Sequence, residues 1–266
     1  MYLGIDVGSV STNAVIIDEE SRILGFSIVK SGFNHSEAIR EAIGKACNES
    51  KVSSEIIRKI VGTGYGRRNV TGACKTVTEI SCHAKGINLI EPSIRTVIDI
   101  GGQDSKVIKI TPDGFVDSFT MNDKCAAGTG RFLEVMAHVM GVDVQELGQL
   151  SLCGKDRVRI SSTCTVFAES EVISKIAEGH SKEDIINGIH RSIGERLIGM
   201  AEAVGLTSPV ALTGGVAKNS GVAKVLSDYL KEALFVPPEP QIVGALGAAI
   251  YAKNEDCPSS PQGGNL

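Results

Sequence analysis

The sequence predicts an α/β protein in which one arrangement of strands and helices occurs twice. A short apolar run ends in Asp-x-Gly within residues 5–9, and a second run does so within residues 98–102, 93 positions further on. Each run is followed by two more segments of strand length and then by segments with helical periodicity. Since Asp-x-Gly turns are common, chance similarity is the alternative to a duplicated fold.

The first repeat is predicted from alternating apolar runs, glycine turns and one clear amphipathic stripe. A helix that follows it stops before Pro92, because proline cannot continue a helix. The predicted elements are strands at 3–7, 13–17 and 23–30, a helix at 35–50, a strand or helix-to-strand joint at 56–63, and a helix at 79–91.

The second repeat begins with a similar three-strand pattern and continues into a longer helical region. An apolar strand then runs into Thr213-Gly-Gly215, and a further helix precedes a polar tail without periodicity. The predicted elements are strands at 96–102, 106–110 and 115–121, helices at 128–140, 170–179 and 182–204, a strand at 210–212, and helices at 220–230 and 242–253.

Composition excludes several classes of protein. The 266 residues are 42% hydrophobic and 22% charged with a net charge of −4, which is typical of a folded protein. No basic run is longer than the pair Arg67-Arg68 and Trp is absent, so nucleic-acid binding is not expected. No uncharged apolar stretch approaches the ~18 residues of a membrane span, and the first residues lack a basic leader, which predicts a cytoplasmic protein.

Three glycine turns are suited to binding an anion through backbone N–H groups and hydroxyls. They lie at residues 8–12, 99–104 and 213–219. The Walker and dinucleotide-binding fingerprints are absent from strand-to-helix junctions, so the turns predict a polyphosphate site of another kind. Ordinary structural turns are the alternative.

Carboxylates at the two strand ends are candidates for a magnesium shell. Mg²⁺ is bound by few protein carboxylates and several waters, and Asp6 and Asp99 each end a predicted strand. Gln103 or Asp104 is the candidate for positioning an attacking water, because phosphoryl transfer depends on placement and charge neutralisation. The alternative is that Asp6 and Asp99 only cap their turns.

The turns resemble the nucleotide motifs of the actin/Hsp70/sugar-kinase ATPases. Residues 4–12, 99–104, 211–216 and 244–248 are similar to the two phosphate motifs, the adenosine motif and the second connecting motif of that superfamily. The resemblance implies two RNase-H-like lobes around an ATP cleft, with residues 1–94 plus 247–255 as the first lobe and 95–246 as the second, followed by a loose tail at 256–266. It implies that nucleotide is bound by Gly8, Ser9, Val10, Ser11, Thr12, Asn13, Gly101, Gly102, Gly214, Gly215, Asn219 and Gln241.

Seven cysteines without an export signal predict free thiols or metal ligands rather than a disulfide framework. Two of them, Cys125 and Cys164, lie in small-residue loops directly ahead of predicted helices, where the helix dipole favours a thiolate. Two thiolates cannot complete a four-ligand cluster, but a symmetric dimer can supply four. A redox disulfide or two inert thiols are the alternatives. A structural or bystander role is predicted for Cys47, Cys74, Cys82, Cys153 and Cys257.

The sequences around Cys125 and Cys164 resemble a smaller family within this superfamily. Residues 122–134 and 164–171 are similar to those of the activator components of 2-hydroxyacyl-CoA dehydratases and of the related benzoyl-CoA reductase ATPase subunits, the BadF/BadG/BcrA/BcrD-type ATPases. The resemblance extends over residues 3–251. It implies a homodimer that binds ATP/ADP and Mg²⁺ and shares one [4Fe–4S] cluster between Cys125 and Cys164 of both chains. It also implies one-electron delivery to a partner iron–sulfur dehydratase, with ferredoxin or flavodoxin as donor.

Other functions fit parts of the pattern. A ring-reductase ATPase subunit is the alternative within the family, and a small-molecule kinase would use the same phosphate turns. A zinc-stabilised scaffold is a third alternative. The acidic pair Glu169 and Glu171 beside Cys164 is either a partner-docking surface or a solvated helix face.

Overall fold

The computed structural model describes residues 1–161 and 164–254, which form two compact units. Unit 1 comprises Met1–Ile94, Ile110–Asp117 and the described residues from Gln241 on; unit 2 comprises Arg95–Lys109 and Ser118–Pro240. The lobe boundaries drawn from the sequence stay a prediction. The tail predicted at 256–266, with Cys257, lies outside the described residues.

Unit 1 is built on a five-stranded sheet in the order β3-β2-β1-β4-β5. The first three strands form an antiparallel meander, and β4 and β5 add in parallel on the other side of β1. All of β1 is buried, which explains its continuous apolar sequence. The strands are β1 Tyr2–Val7, β2 Ser11–Ile17, β3 Ile23–Lys30, β4 Lys59–Thr63 and β5 Lys75–Thr76.

Three helices cover the two faces of this sheet, and they are α1 His35–Ser50, α2 Glu79–Ile90 and α8 Val243–Asn254. Alternate residues of β1 and β2 point into two separate apolar clusters, one with α1 and one with α8. The approach of α2 to α8 requires a glycine, because a Cβ on Gly247 would overlap the carbonyl of Cys82. Small residues of α8 thus allow the two helices to pack closely.

Unit 2 is built on a four-stranded sheet in the order β8-β7-β6-β9. The strand β7 pairs antiparallel with β6, and β9 pairs parallel with it. A single apolar core joins this sheet to the helices. The elements are β6 Thr96–Ile100, β7 Ser105–Ile110, β8 Val116–Asn122, α3 Gly130–Met140, α4 Leu147–Cys153, α5 Thr165–Ala177, α6 Lys182–Ala203, β9 Val210–Thr213 and α7 Ser220–Leu230.

Three local predictions are wrong or incomplete. The helix α5 begins at Thr165, five residues before the predicted start at residue 170, so Cys164 is its N-cap residue. The seven-residue helix α4 was not predicted, and Cys153 is its last residue rather than part of a loop. The two-residue β5 is also new. Each of these elements is too short, or begins too irregularly, for hydrophobic periodicity to detect.

Among the described residues, no helix combines the length and the apolar composition required to cross a bilayer.

Candidate functional site

The first glycine turn, between β1 and β2, is closed by its own backbone. The Gly8 N–H donates to the Ser11 carbonyl at 3.0 Å. Ser31 supports the turn from β3, because its hydroxyl donates to the Gly8 carbonyl at 2.7 Å and its N–H to the Val10 carbonyl at 2.9 Å. Ser9 is half-buried and Val10 is exposed, so residues 9–11 form the part of the turn that a ligand can reach.

Two residues predicted to bind nucleotide lie behind this turn rather than on its surface. Thr12 is fully buried and its hydroxyl lies 3.0 Å from that of Ser31. Asn13 is buried and its Nδ2 donates to the Gln241 backbone carbonyl at 3.1 Å, which connects β2 to the start of α8. Both side chains hold the turn in place. Their predicted nucleotide contacts stay a prediction.

Asp6 ends β1 next to two glycines. A Cβ on Gly64, whose φ is +82°, would overlap one carboxylate oxygen, and a Cβ on Gly244 would lie 2.6 Å from the other. Only glycine leaves room for this buried carboxylate at both positions. The position of the Asp6 carboxylate therefore depends on Gly64 and Gly244, which are distant in sequence but belong to the same unit.

The second turn, between β6 and β7, closes in the same way but contains a buried ion triad. The Gly101 N–H donates to the Asp104 carbonyl at 2.9 Å. The Lys106 ammonium lies 3.1 Å from Asp99 Oδ2 and 2.9 Å from Asp104 Oδ2, and all three side chains are almost fully buried. One cation between two carboxylates leaves a net negative charge, which is suited to a hydrated divalent cation.

The third turn packs directly against the second. The Thr213 hydroxyl donates to Asp99 Oδ1 at 2.8 Å, and a Cβ on Gly214, whose φ is +85°, would overlap the Ile100 carbonyl. Gly215 begins the short 3₁₀ turn Gly215–Lys218. Asn219 follows it and caps α7, accepting from the Val222 N–H at 3.0 Å. The structure thus brings two of the three predicted phosphate turns together within unit 2.

The two candidates for positioning water differ in exposure. Gln103 is exposed at the tip of the second turn, whereas Asp104 is 5% exposed and is paired with Lys106. A side chain that orients a water on a bound phosphate must reach that water. The geometry favours Gln103 over Asp104, a ranking that sequence reasoning left open.

Cys125 lies in the loop between β8 and α3 and is half-buried. The Asn122 side chain shapes this loop by donating to the carbonyls of Cys125 at 2.8 Å and Ala127 at 3.0 Å. The first residues of α3 are joined to the second turn, since Gly130 N–H donates to the Gly101 carbonyl at 2.9 Å and Arg131 N–H to the Gly102 carbonyl at 2.8 Å. A phosphate turn and a cysteine loop therefore share one helix N-terminus.

Cys164 is exposed and directly precedes α5, whose first turn presents Val166 and Phe167, each 67% exposed. The Glu171 carboxylate accepts from the N–H of Ser161, with distances of 2.9 and 3.1 Å to its two oxygens. Glu171 thus holds Ser161, a role different from both the docking surface and the solvated face predicted for it.

The remaining described cysteines fit structural roles. Cys82 is buried, and burial raises the pKa of its thiol to about 12. Burial also raises the pKa of Cys47 on α1. None of the six cysteines in the described part of the chain forms a disulfide. Within residues 1–161 and 164–254, no three His, Cys, Asp or Glu side chains converge as a complete metal site.

Sequence reasoning missed Lys106 and Thr213 as partners of Asp99. The only signal in the sequence was a lysine inside a strand of otherwise buried residues, because a charge at such a position needs a partner. Which residue supplies that partner depends on strand register, and the sequence does not give the register between β6 and β9.

Nearly the whole chain matches one family model. Residues 3–252 match the model described as the BadF/BadG/BcrA/BcrD ATPase family. The chain belongs to this family. Among its relatives is an activator of lactoyl-CoA dehydratase from Anaerotignum propionicum, which is 50% identical over 95% of this chain and 97% of that protein.

Solved structures of related ATPases match the fold closely. Component A of the Acidaminococcus fermentans (R)-2-hydroxyglutaryl-CoA dehydratase superposes with a TM-score of 0.91, at 47% identity over 95% of this chain and 97% of that chain. The activator of the 2-hydroxyisocaproyl-CoA dehydratase from Clostridium difficile, with bound ADPNP, gives a TM-score of 0.90 at 45% identity over 96% and 95%.

A more distant structure supports the fold alone. A ROK family glucokinase from Streptomyces griseus has a TM-score of 0.62 at 14% identity over 96% of this chain and 99% of that chain. The predicted actin/Hsp70/sugar-kinase ATPase fold is confirmed for this member of the BadF/BadG/BcrA/BcrD ATPase family.

Proposed function

We propose that this chain is an ATP-dependent one-electron activator of a 2-hydroxyacyl-CoA dehydratase. The observation that carries the proposal is the pair of hydrogen bonds between the second turn and α3. Through them Gly101 and Gly102, candidates for phosphate contact, are joined to the helix that directly follows the Cys125 loop. A small-molecule kinase needs the turn, but it has no use for this connection to a cysteine loop.

The nucleotide contacts are assigned within each unit. In unit 1, Gly8, Ser9, Val10 and Ser11 offer backbone N–H groups and hydroxyls to phosphate. In unit 2, residues 101–103 and 214–215 do the same, and Gln103 orients the attacking water. Thr12, Asn13, Gln241 and Asn219 support these turns. Family membership and the ADPNP bound to the C. difficile relative support ATP as the ligand.

The carboxylates of the turns fit Mg²⁺ held largely through water. Asp99 and Asp104 already share Lys106, so a direct bond from either to a metal would compete with that ammonium. Asp6 is buried and closely packed against Gly64 and Gly244, so its carboxylate would act on a metal through its negative charge. Mg²⁺ bound near these groups would neutralise charge on the phosphates.

The cysteines fit a [4Fe–4S] cluster shared between two copies of the chain. Each copy offers two thiols, Cys125 and Cys164, and four are required. The hydroxyl oxygen of Thr165, directly after Cys164, is buried and has no hydrogen-bond partner among the described residues, so it is available to donate to a sulfur. Such a cluster would supply a site for one electron.

The surroundings of Cys164 favour a homodimer. Val166 and Phe167 are each two-thirds exposed next to the cysteine, and a second copy seated there would bury both. The thiols of the two chains would then meet on a two-fold axis. Nucleotide turnover at the second turn would move α3 through its two hydrogen bonds to residues 101 and 102 and so change the position of Cys125.

The electron donor in this proposal is a cytoplasmic ferredoxin or flavodoxin, and the acceptor is an iron–sulfur dehydratase. Activators of such dehydratases are relatives at 45–50% identity over nearly the whole chain, which favours a dehydratase over a ring reductase as the partner.

Metal analysis of anaerobically purified protein tests the proposal. We expect about two iron and two sulfide per chain and a reduced-state EPR signal, all lost in Cys125→Ser and in Cys164→Ser. Cys153→Ser, which removes an exposed thiol of the same unit, is the matched control and should keep the metal. Zinc, or no metal under strict anaerobiosis, would contradict the proposal and favour a kinase or a scaffold.

A further inference from the structure

A cavity of about 250 Å³ in unit 2 lies between the two loops that carry the cysteines. Ala127 and Gly128 of the Cys125 loop line one side, and Ser161 of the segment before Cys164 lines another. Ser192 and Arg196 of α6 complete it. Arg196 is therefore the cationic side chain in the wall between the Cys125 loop and Ser161.

Arg196 is partly buried at this wall and leaves one of its nitrogens unpaired within the described part of the chain. Its stem packs beneath Gly128, because a Cβ at that glycine would lie 3.1 Å from Arg196 Cδ. Its Nε is buried and has no hydrogen-bond partner among the described residues. A buried N–H donor without a partner costs free energy, and an anion at this wall would satisfy it.

The neighbouring carboxylate does not supply that anion at the buried nitrogen. Glu195 also lines the cavity, but it is exposed and accepts from the Tyr229 hydroxyl at 3.0 Å. Exposed charges are screened by water and salt, whereas a partly buried guanidinium is screened much less.

We propose that Arg196 stabilises the reduced form of the cluster held by Cys125 and Cys164. The inference rests on the proposed function, because it assumes that cluster. Four thiolates and four sulfides outweigh the charge of the irons, so the cluster is anionic and becomes more so when it accepts an electron. Gly128 lies three residues after Cys125, so their Cα atoms are at most ~11 Å apart. Because the Arg196 side chain packs beneath Gly128, its charge lies next to the loop that carries Cys125.

The electron comes from the reduced donor protein, which is oxidised as the cluster is reduced by one electron. A fixed positive charge favours this loading step, since it raises the potential at which the electron is accepted. Removing the charge should shift the equilibrium for reduction about tenfold towards the oxidised form, which is about 59 mV for one electron.

The test is a mediated redox titration, followed by EPR, of wild type, Arg196→Gln, Arg196→Met and Arg196→Lys. The matched control is Arg191→Gln, which removes the same charge from the same helix at a residue that stacks on Tyr229, 5.7 Å from the ring centre. We expect a lower midpoint potential in both neutral variants, and a potential near that of wild type in Arg196→Lys and Arg191→Gln.

The outcomes are distinguishable. A neutral variant that loads the cluster and titrates as wild type would overturn the inference and leave the proposed function intact. Loading in Arg196→Lys but in neither neutral variant would support it, because the charge would then be needed to hold the anion. If none of the three variants binds the cluster, the site requires the shape of the arginine side chain rather than its charge. That result would overturn the inference. A wild-type protein without a [4Fe–4S] cluster would overturn the proposed function itself.

Discussion

The two strand-end aspartates occupy the same position in their sheets but have different neighbours. Asp6 of β1 is paired with Asn13 on the antiparallel strand and with Thr63 on the parallel one. Asp99 of β6 is paired in the same way with Lys106 and with Thr213. The threonine is common to both units, whereas the antiparallel neighbour is a neutral amide in unit 1 and a cation in unit 2.

This difference indicates that the two turns have different roles, which the sequence of either turn alone does not show. In unit 1 the turn carries hydroxyls and closes against Ser31, and its carboxylate lies between glycines. In unit 2 the turn carries an ion triad, and its carbonyls accept from the first N–H groups of α3. We infer that the first turn only binds phosphate, while the second also transmits its state to a cysteine loop.

The largest effect on this comparison is expected from Lys106→Met. Removing the ammonium leaves Asp99 and Asp104 buried as two like charges, and breaking a buried pair in this way costs about 3–5 kcal/mol. Urea denaturation should show that loss in the free energy of unfolding. Lys45→Met, which removes a cation paired with Glu41 at 2.7 Å on the surface of α1, should cost only about 0.5 kcal/mol.

A loss of similar small size in both variants would mean that the triad is not what distinguishes the second turn. Adding Asp104→Asn to Lys106→Met should restore part of the stability, because it removes one of the two unpaired charges.

Gln103→Ala tests whether the second turn takes part in ATP hydrolysis. We expect ATP turnover to fall about 10²-fold with ATP binding retained, since a positioned group that handles a reacting water is worth at least this much. Asp104→Asn should lower turnover less, because Asp104 is buried against Lys106. The measurement is ATPase rate beside nucleotide affinity in each variant. If neither variant turns over more slowly, the assignment of the water-positioning residue is wrong.

The buried His190 of α6 should make unit 2 sensitive to acid. Its Nε2 lies 3.4 Å from the Asn219 side chain, and burial lowers its pKa to about 3. The native state keeps the ring neutral, while the unfolded chain takes up a proton below about pH 6.5. Stability is therefore lost as pH falls from about 6.5 towards 3, at up to about 1.4 kcal/mol per pH unit.

Urea denaturation between neutral pH and pH 5 checks this slope. It should flatten in His190→Gln and stay unchanged in His138→Gln, which alters an exposed histidine of α3. An equal slope in wild type and His190→Gln would show that another group titrates.

The smallest effect is expected at the unit 1 counterpart of Lys106. Asn13→Ala removes one partly buried neutral hydrogen bond, to the Gln241 carbonyl, and should cost about 1 kcal/mol. The same urea denaturation measures it. A cost equal to that of Lys106→Met would remove the distinction between the two turns.

Much of the fold could be predicted because its signals are local. The apolar stripe of α1, the glycine turns and the stop before Pro92 each depend on a few adjacent residues, and α1 and β3 begin and end where predicted. The start of α5 was missed because Cys164 caps it without a side-chain hydrogen bond, so none of the usual capping residues marks the position.

The site was predictable in its residue types but not in its pairings. Asp6, Asp99 and the three turns could be found from strand ends and glycines. The triad with Lys106 and the support from Ser31 depend on the register between strands, and the bonds from α3 to residues 101 and 102 depend on packing. Arg196 is only one of many arginines until its buried environment is known.

The most direct test of the central claim is ATP-driven electron delivery to a purified dehydratase. With the partner in excess over this protein, we expect repeated electron delivery in the presence of ATP and a reductant, with ATP consumed in step. A non-hydrolysable ATP analogue should support docking without repeated delivery. Electron transfer at the same rate and extent without nucleotide would contradict the account, because the link from the second turn to the Cys125 loop would then have no function.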